Sequence, residues 1–93
     1  MLVKDLKAED LVTWHFARSA EMRLVVSVVP TTVKTHETNE LYHGTAVTFM
    51  FEDGGKGMLT RWWSINEYLS TTEIEQVYRD GETIYSEPNS ATQ

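Results

Sequence analysis

The dipeptide Trp62-Trp63, which directly follows Arg61, is the segment of this 93-residue chain whose side chains are best suited to bind another molecule. An indole ring gives a flat surface for stacking, and a guanidinium beside it can pair with a phosphate or a carboxylate. Tryptophan and arginine are also enriched where two proteins touch. The segment therefore predicts a binding surface, and its residue types leave open whether a small ligand or a protein chain occupies it.

The side chains of this segment alternate between two faces if it forms a strand, so the two tryptophans point in opposite directions. The uncharged face is expected to point into the core and consists of Met58, Thr60 and Trp62. The face that carries a guanidinium is expected to point outward and consists of Leu59, Arg61 and Trp63. With two residues added from other segments, the predicted ligand or interface site comprises Arg61, Trp63, Leu59, Arg23 and Tyr42.

Patterns that would indicate catalysis or metal binding are not found in the sequence. The chain has no cysteine, and no serine stands in the glycine-flanked pattern of a hydrolase nucleophile. Gly54-Gly55-Lys56-Gly57 predicts a hairpin turn, because a phosphate-binding loop would lead into a helix. His15, His36 and His43 lack the close spacing of zinc ligands. We therefore predict no enzymatic activity, no metal and no cofactor.

The charge and hydropathy of the chain indicate which kinds of partner it has and in which compartment it is found. The formal net charge is −6, which disfavours binding to a DNA or RNA polymer, since that binding needs clustered lysine and arginine. The longest apolar run, residues 24–29, is too short to span a bilayer. The first ten residues alternate apolar and charged side chains and do not predict a signal peptide. With no cysteine to indicate an oxidising compartment, we expect a cytoplasmic protein without membrane contact.

Alternation of apolar and polar residues predicts five or six short strands. Val12 and Trp14 mark one face of the first strand, and Asp80-Gly81 predicts a tight turn between the last two. Pro30 is expected to end the second strand because it lacks a backbone N–H. The predicted strands cover residues 11–16, 22–29, 44–52, 57–63, 73–79 and 82–86.

Two connections carry further signals. Residues 31–43 are polar and predict either a long hairpin loop or two short, exposed strand extensions. Ser64-Ile65-Asn66-Glu67 matches a capping box, which predicts one helical turn over residues 65–70. The whole pattern indicates a mostly β chain that forms a small barrel or a strongly curved antiparallel sheet with one short helical turn. We expect a single domain over residues 1–87 and a disordered tail over residues 88–93.

Several segments together resemble the small SH3-like β-barrel proteins found among bacteriophage and bacterial accessory genes. In that family a Gly-Asp-Leu-Val opening leads the first strand, a valine-rich strand follows, and an aromatic strand ends in Asp-Gly. The chain has Glu9 where the family usually has glycine. The matching segments are residues 10–14, 24–29, 47–54 and 62–69. The resemblance implies an SH3-like barrel, and it implies no single function.

These observations lead to two hypotheses about function. The first is a non-enzymatic binding module that acts through protein–protein contact as a homo-oligomer, by sheet-edge pairing or through the face of Leu59, Arg61 and Trp63. The alternative is a phage-type sequestering protein that binds a nucleotide-like small molecule between subunits. In the alternative, Arg61 pairs with a phosphate and Trp63 stacks on the base.

Overall fold

In the computed structural model, which describes residues 1–14, 22–51 and 57–86, six strands form one antiparallel sheet. The strands in chain order are β1 (Leu11–Trp14), β2 (Met22–Lys34), β3 (Leu41–Phe51), β4 (Met58–Ser64), β5 (Ile74–Arg79) and β6 (Glu82–Ser86). Two short 3₁₀ turns, Val3–Asp5 and Leu69–Thr71, complete the described elements. The predicted mostly β class is confirmed. The predicted tail, residues 88–93, lies outside the described residues.

The sheet is open and strongly curled. Its strand order is β4-β3-β2-β1-β5-β6, so β4 and β6 are its two edges. A flat sheet would hold β4 and β1 about 14 Å apart, at three strand spacings. The guanidinium of Arg61 on β4 nevertheless lies 5.5 Å from the ring centre of Trp14 on β1. Of the two predicted architectures, the strongly curved sheet is therefore the one observed.

The inner face of this curl holds a thin hydrophobic core. Trp14 meets Phe49 edge to face, with 5.2 Å between ring centres. The N-terminal segment closes one end of the core, since the Val3 amide donates to the Glu67 carbonyl and the Leu69 amide to the Met1 carbonyl. Fully buried apolar side chains come from every described strand except β4 and β6 and from both 3₁₀ turns: Val3, Val12, Val25, Val47, Phe49, Leu69, Ile74 and Val77.

The prediction that Pro30 ends β2 is wrong. Pro30 lies inside β2, opposite Thr45 of β3. Thr45 also pairs with Trp63 of β4, and the Ile65 amide donates to the His43 carbonyl at 3.2 Å. The backbone N–H and C=O groups of Thr45 therefore point toward β4, because these directions alternate along a strand. The nitrogen of Pro30 consequently faces away from β3, on the side where β1 pairs only with the beginning of β2. A proline there removes no hydrogen bond of the ladder.

Residues 31–43 form the second of the two predicted alternatives, a pair of strand extensions. β2 continues to Lys34, which pairs with Leu41 at the start of β3. A short turn joins them, in which the Thr35 amide donates to the Glu40 carbonyl at 3.1 Å. Asn39 has a positive φ of 57°, which asparagine tolerates better than most residues. The two strands thus reach beyond the last residue of β4 as a two-stranded ribbon.

One of the two turn predictions is confirmed, at Asp80-Gly81, and the other, the capping box at Ser64, is wrong. Asp80 and Gly81 both have positive φ and join β5 to β6, as the Asp-Gly signal predicts. The capping box is wrong, because Ser64 belongs to β4 and the 3₁₀ turn begins later, at Leu69. The carboxylate of Glu67 instead accepts a hydrogen bond from the Thr71 hydroxyl at 3.3 Å.

Candidate functional site

The predicted facing of β4 is wrong, and the structure reverses it. Residues opposite each other in a ladder share a face, and β3 presents buried Thr45 and Phe49 on its inner side. Trp63 lies opposite Thr45, and Leu59 lies opposite Phe49. The inner face of β4 therefore consists of Leu59, Arg61 and Trp63. The outer face consists of Met58, Thr60 and Trp62, all of them exposed.

A charged residue can occupy the inner face because its charge is matched and still reaches water. The guanidinium of Arg61 lies 3.1 Å from the carboxylate of Glu73, and both side chains are 41% exposed. The same guanidinium lies over the ring of Trp14. The curl of the sheet therefore gives Arg61 an ion pair and an aromatic partner without removing it from solvent. For this reason the charge of Arg61 was not evidence that its side of β4 faces outward.

Four of the five predicted site residues share the inner face, and three of them lie around Trp14. Arg23 approaches the Trp14 ring to 4.8 Å and Arg61 to 5.5 Å. Trp63 joins through Phe49, with ring centres 6.1 Å apart in an edge-to-face arrangement. We call the set Trp14, Arg23, Phe49, Arg61 and Trp63 the inner cluster.

Tyr42, the fifth predicted residue, is not part of this cluster. It lies on the ribbon opposite Val33, and its hydroxyl donates to the Glu40 carboxylate at 2.8 Å. The hydrogen bond to Glu40 raises the pKa of Tyr42, and a smaller effect of burial acts in the same direction. The structure therefore separates Tyr42 from the two arginines with which the sequence analysis grouped it.

Tyr42 belongs instead to an exposed apolar surface on the outer face of the sheet. The ring of Trp62 lies against Gly44, where a side chain on residue 44 would collide with it. The indole N–H of Trp62 donates to the Thr31 carbonyl at 3.1 Å, so the ring leans toward β2 and away from the open edge of β4. We call the exposed apolar residues around it the outer patch: Val29, Val33, Tyr42 and Trp62.

Among residues 1–14, 22–51 and 57–86, no strand pairs with the side of β4 that faces away from β3. The Ile65 amide donates to the His43 carbonyl, and backbone direction alternates along a strand. The N–H and C=O groups of Arg61 and Trp63 therefore point toward β3. Those of Met58, Thr60 and Trp62 point toward the open edge. The Ser64 amide points there too, but the Ser64 carbonyl accepts a hydrogen bond from the Glu67 amide at 3.0 Å. The pairing of β4 with β3 shows no irregularity over its whole length.

A buried ion pair that sequence reasoning missed ties the start of β1 to the end of β5. Arg79 donates to both carboxylate oxygens of Asp10, each at 2.8 Å, and the Lys7 amide donates to the same carboxylate at 2.8 Å. Burial alone would raise the pKa of Asp10, but the hydrogen bonds from Arg79 and Lys7 and their charges outweigh it and lower the pKa below 3.8. No local pattern signals this pair, because its members are 69 residues apart.

Two shallow cavities lie beside the N-terminal segment. One, of about 260 Å³, is lined by Lys7, Ala8, Glu9, Asp10, Arg79 and Asp80. The other, of about 340 Å³, is lined by Lys4, Leu6, Lys7, Ala8, Val28, Pro30 and Thr45. Within residues 1–14, 22–51 and 57–86, no group of three histidine or acidic side chains is placed to hold a metal ion. No helix in that part of the chain is long and apolar enough to cross a membrane.

Comparisons of the chain with models of known protein families, with curated proteins and with solved structures gave no match. The resemblance to SH3-like barrel proteins therefore stays a prediction. The geometry of β4, the inner cluster and the outer patch is the basis for a functional proposal.

Proposed function

We propose that this protein is a non-enzymatic binding module that acts through protein–protein contact and forms a homo-oligomer. The observation that carries the proposal is the edge of β4, with which no other strand in the described part of the chain pairs. Natural edge strands are usually kept from pairing by charges, prolines, irregularities or short length. β4 has seven residues in regular pairing with β3, no proline, and one charge, Arg61, which points inward. It is therefore an edge suited to receive another strand.

The distribution of charge supports a second copy as the partner. The chain has 14 acidic residues and a net charge of −6, so two copies repel each other over most of their surface. Residues 57–66 contain no acidic residue. Two copies can therefore approach each other at the β4 edge without bringing acidic residues of this segment close together.

The exposed apolar side chains next to this edge add contact area. Met58 is 60% exposed and Trp62 is 36% exposed. Aromatic residues and methionine are enriched in protein interfaces, and tryptophan is among the commonest energetic anchors. Because Trp62 is already held by its hydrogen bond to Thr31, it loses little side-chain freedom on binding.

Sedimentation velocity over a wide concentration range tests the proposal. The wild-type protein is expected to form a larger species as concentration rises. Met58→Lys places a charge beside the open edge and should shift the equilibrium toward monomer. Ile84→Lys is the matched control, since Ile84 is an exposed apolar residue on β6, the other edge, and it should associate like wild type. A wild-type protein that stays monomeric throughout contradicts the proposal.

The alternative of a nucleotide-like ligand has its own supporting observation in the inner cluster. Trp14 is only 5% exposed, and its indole N–H has no acceptor among the described residues. Two guanidinium groups lie against the same ring. Arg61 would have to exchange Glu73 for a phosphate, so Glu73→Gln should tighten the binding of nucleoside phosphates. If neither wild type nor this variant changes its tryptophan fluorescence with a panel of nucleotides, the alternative is excluded.

A further inference from the structure

We infer that two copies pair through β4 in an antiparallel register whose two-fold axis passes through Thr60. This inference rests on the proposed homo-oligomer and names its interface. The starting point is the direction of the backbone groups. Met58, Thr60 and Trp62 present both their N–H and their C=O groups at the open edge, whereas Ser64 presents its N–H and its carbonyl already accepts from the Glu67 amide. Hydrogen-bonded pairs across a two-fold axis must therefore be made among these residues.

Three registers centred within the middle of β4 satisfy this requirement. With the axis at Arg61, Arg61 lies opposite its own copy in a closely spaced, non-hydrogen-bonded pair, and like charges directly opposite each other are destabilising. With the axis at Thr60, Leu59 of one copy lies opposite Arg61 of the other. With the axis at Trp62, Arg61 lies opposite Trp63. The last two registers separate the guanidinium groups.

The position of the Trp62 ring decides between the remaining two registers. An axis at Trp62 places the two Trp62 residues opposite each other, but each ring leans over Gly44 toward Thr31 and away from the edge. An axis at Thr60 places Met58 of one copy opposite Trp62 of the other. The Met58 side chain is flexible and largely exposed, so it can cover the indole without displacing it, and sulfur–aromatic contacts are favourable.

The resulting assembly is a continuous sheet that runs through both copies. The amides of Met58, Thr60 and Trp62 in one copy donate to the carbonyls of Trp62, Thr60 and Met58 in the other. No described residue lies opposite Ser64 in this register, so its amide gains no partner from the described part of the other copy. Strand pairing of this length buries little area, and small interfaces are usually weak and concentration-dependent.

Single cysteines test the register directly, because the chain has no cysteine of its own. Under mild oxidation at concentrations where the dimer forms, Thr60→Cys is expected to give the highest yield of disulfide-linked dimer. The mixed disulfide between Met58→Cys and Ser64→Cys reports the axis at Arg61, and that between Thr60→Cys and Ser64→Cys reports the axis at Trp62. Both pairs leave Arg61 and Trp62 in place. Thr83→Cys, an exposed threonine on β6, measures random collision. A higher yield of either mixed disulfide than of the Thr60→Cys dimer overturns the inference.

Amide hydrogen exchange on the unmodified protein provides an independent readout. Protection of the Met58 amide should rise with protein concentration, whereas that of the Ser64 amide should not. An axis at Arg61 or at Trp62 would instead protect the Ser64 amide, which would donate to the carbonyl of Met58 or of Thr60 in the other copy. A dimer seen by sedimentation with no change at either amide overturns the β4 interface but leaves the homo-oligomer standing. Absence of any dimer overturns the inference and the proposed homo-oligomer together.

Discussion

The two faces of β4 differ in what they do, although their residues alternate along one short segment. On the inner face, Trp63 packs edge to face on Phe49, and Arg61 is held by Glu73 and Trp14. On the outer face, Trp62 makes one hydrogen bond, and Met58 is 60% exposed. The inner face holds the curled sheet together, whereas the outer face is available to a partner. In a sheet this thin, a charged residue does not identify the side that faces water.

Among the predicted variants, removal of a large side chain from the inner face of the sheet should lower the free energy of unfolding the most. Phe49 is fully buried and contacts both Trp14 and Trp63. Phe49→Ala should lower the free energy of unfolding by about 3–5 kcal/mol, a large part of what a small domain has. Urea denaturation followed by tryptophan fluorescence measures this. Val29→Ala on the outer face is the control, and a similar loss there would contradict the comparison.

Removal of Arg79 should have the next largest effect, because it leaves the buried carboxylate of Asp10 without its bidentate partner. The Asp10 side chain is 2% exposed and that of Arg79 is 29% exposed. Arg79→Met should therefore lower the free energy of unfolding by about 2–4 kcal/mol, somewhat less than for a fully buried pair. The double variant Asp10→Asn with Arg79→Met should recover part of the loss. No recovery in urea denaturation would show that the pair is not the cause.

The adjacent tryptophans give the sharpest test of the comparison. Trp63→Ala removes a ring packed against the core and should lower the free energy of unfolding by about 2–3 kcal/mol. Trp62→Ala removes an exposed ring and one hydrogen bond and should lower it by about 1 kcal/mol or less. Association measured by sedimentation should weaken in Trp62→Ala. If Trp62→Ala unfolds the protein and Trp63→Ala is silent, the assigned facing of β4 is wrong.

The pH dependence of stability should report the Asp10 pair. Since the pKa of Asp10 is lowered in the folded state, its contribution is present above the unfolded pKa of about 3.9 and is lost as pH falls through the folded pKa. The stability difference between wild type and Asp10→Asn should therefore stay constant at neutral pH and shrink below about pH 4. Denaturation curves at a series of pH values measure it, and a difference that grows in acid would contradict the lowered pKa.

The smallest expected effect comes from Glu9, a non-glycine residue with a positive φ of 76°. Glycine adopts this conformation without steric cost. Glu9→Gly should therefore raise the free energy of unfolding by about 0.5–1 kcal/mol, after allowance for the greater freedom of glycine in the unfolded chain. Thermal unfolding measures the change, with Glu37→Gly on the exposed turn as the control. A loss of stability would indicate that the Glu9 side chain makes a stabilising contact.

Local patterns in the sequence were sufficient for much of the fold. Alternation of apolar residues located the strands, and Asp80-Gly81 located the last turn, because both signals depend on neighbouring residues alone. The predictions from Pro30 and from the capping box at Ser64 were wrong because their outcome depends on more than neighbouring residues. Whether a proline nitrogen interrupts a ladder depends on which edge it faces, and a serine caps a helix only if the strand before it has ended.

The candidate site was less predictable. Arg61, Trp63 and Arg23 were identified as site residues and do lie on one face, but the outward facing expected of Arg61 and Trp63 was wrong, and Tyr42 belongs to the other face. The error arose from treating charge as a sign of the solvent side. Glu73 and Trp14, which make the inner position of Arg61 acceptable, come from distant parts of the chain, and no local pattern connects them.

By itself, then, the sequence determined which segments are strands and where the last hairpin turns. The tertiary structure alone decided which side of β4 faces the core, which strand remains an open edge, and that Asp10 is paired with Arg79. The physical reason is that strand formation follows from the alternation of neighbouring residues, whereas facing, edges and ion pairs depend on contacts between residues that are far apart in the chain. The curl of the sheet makes those contacts, and it arises from all six strands together.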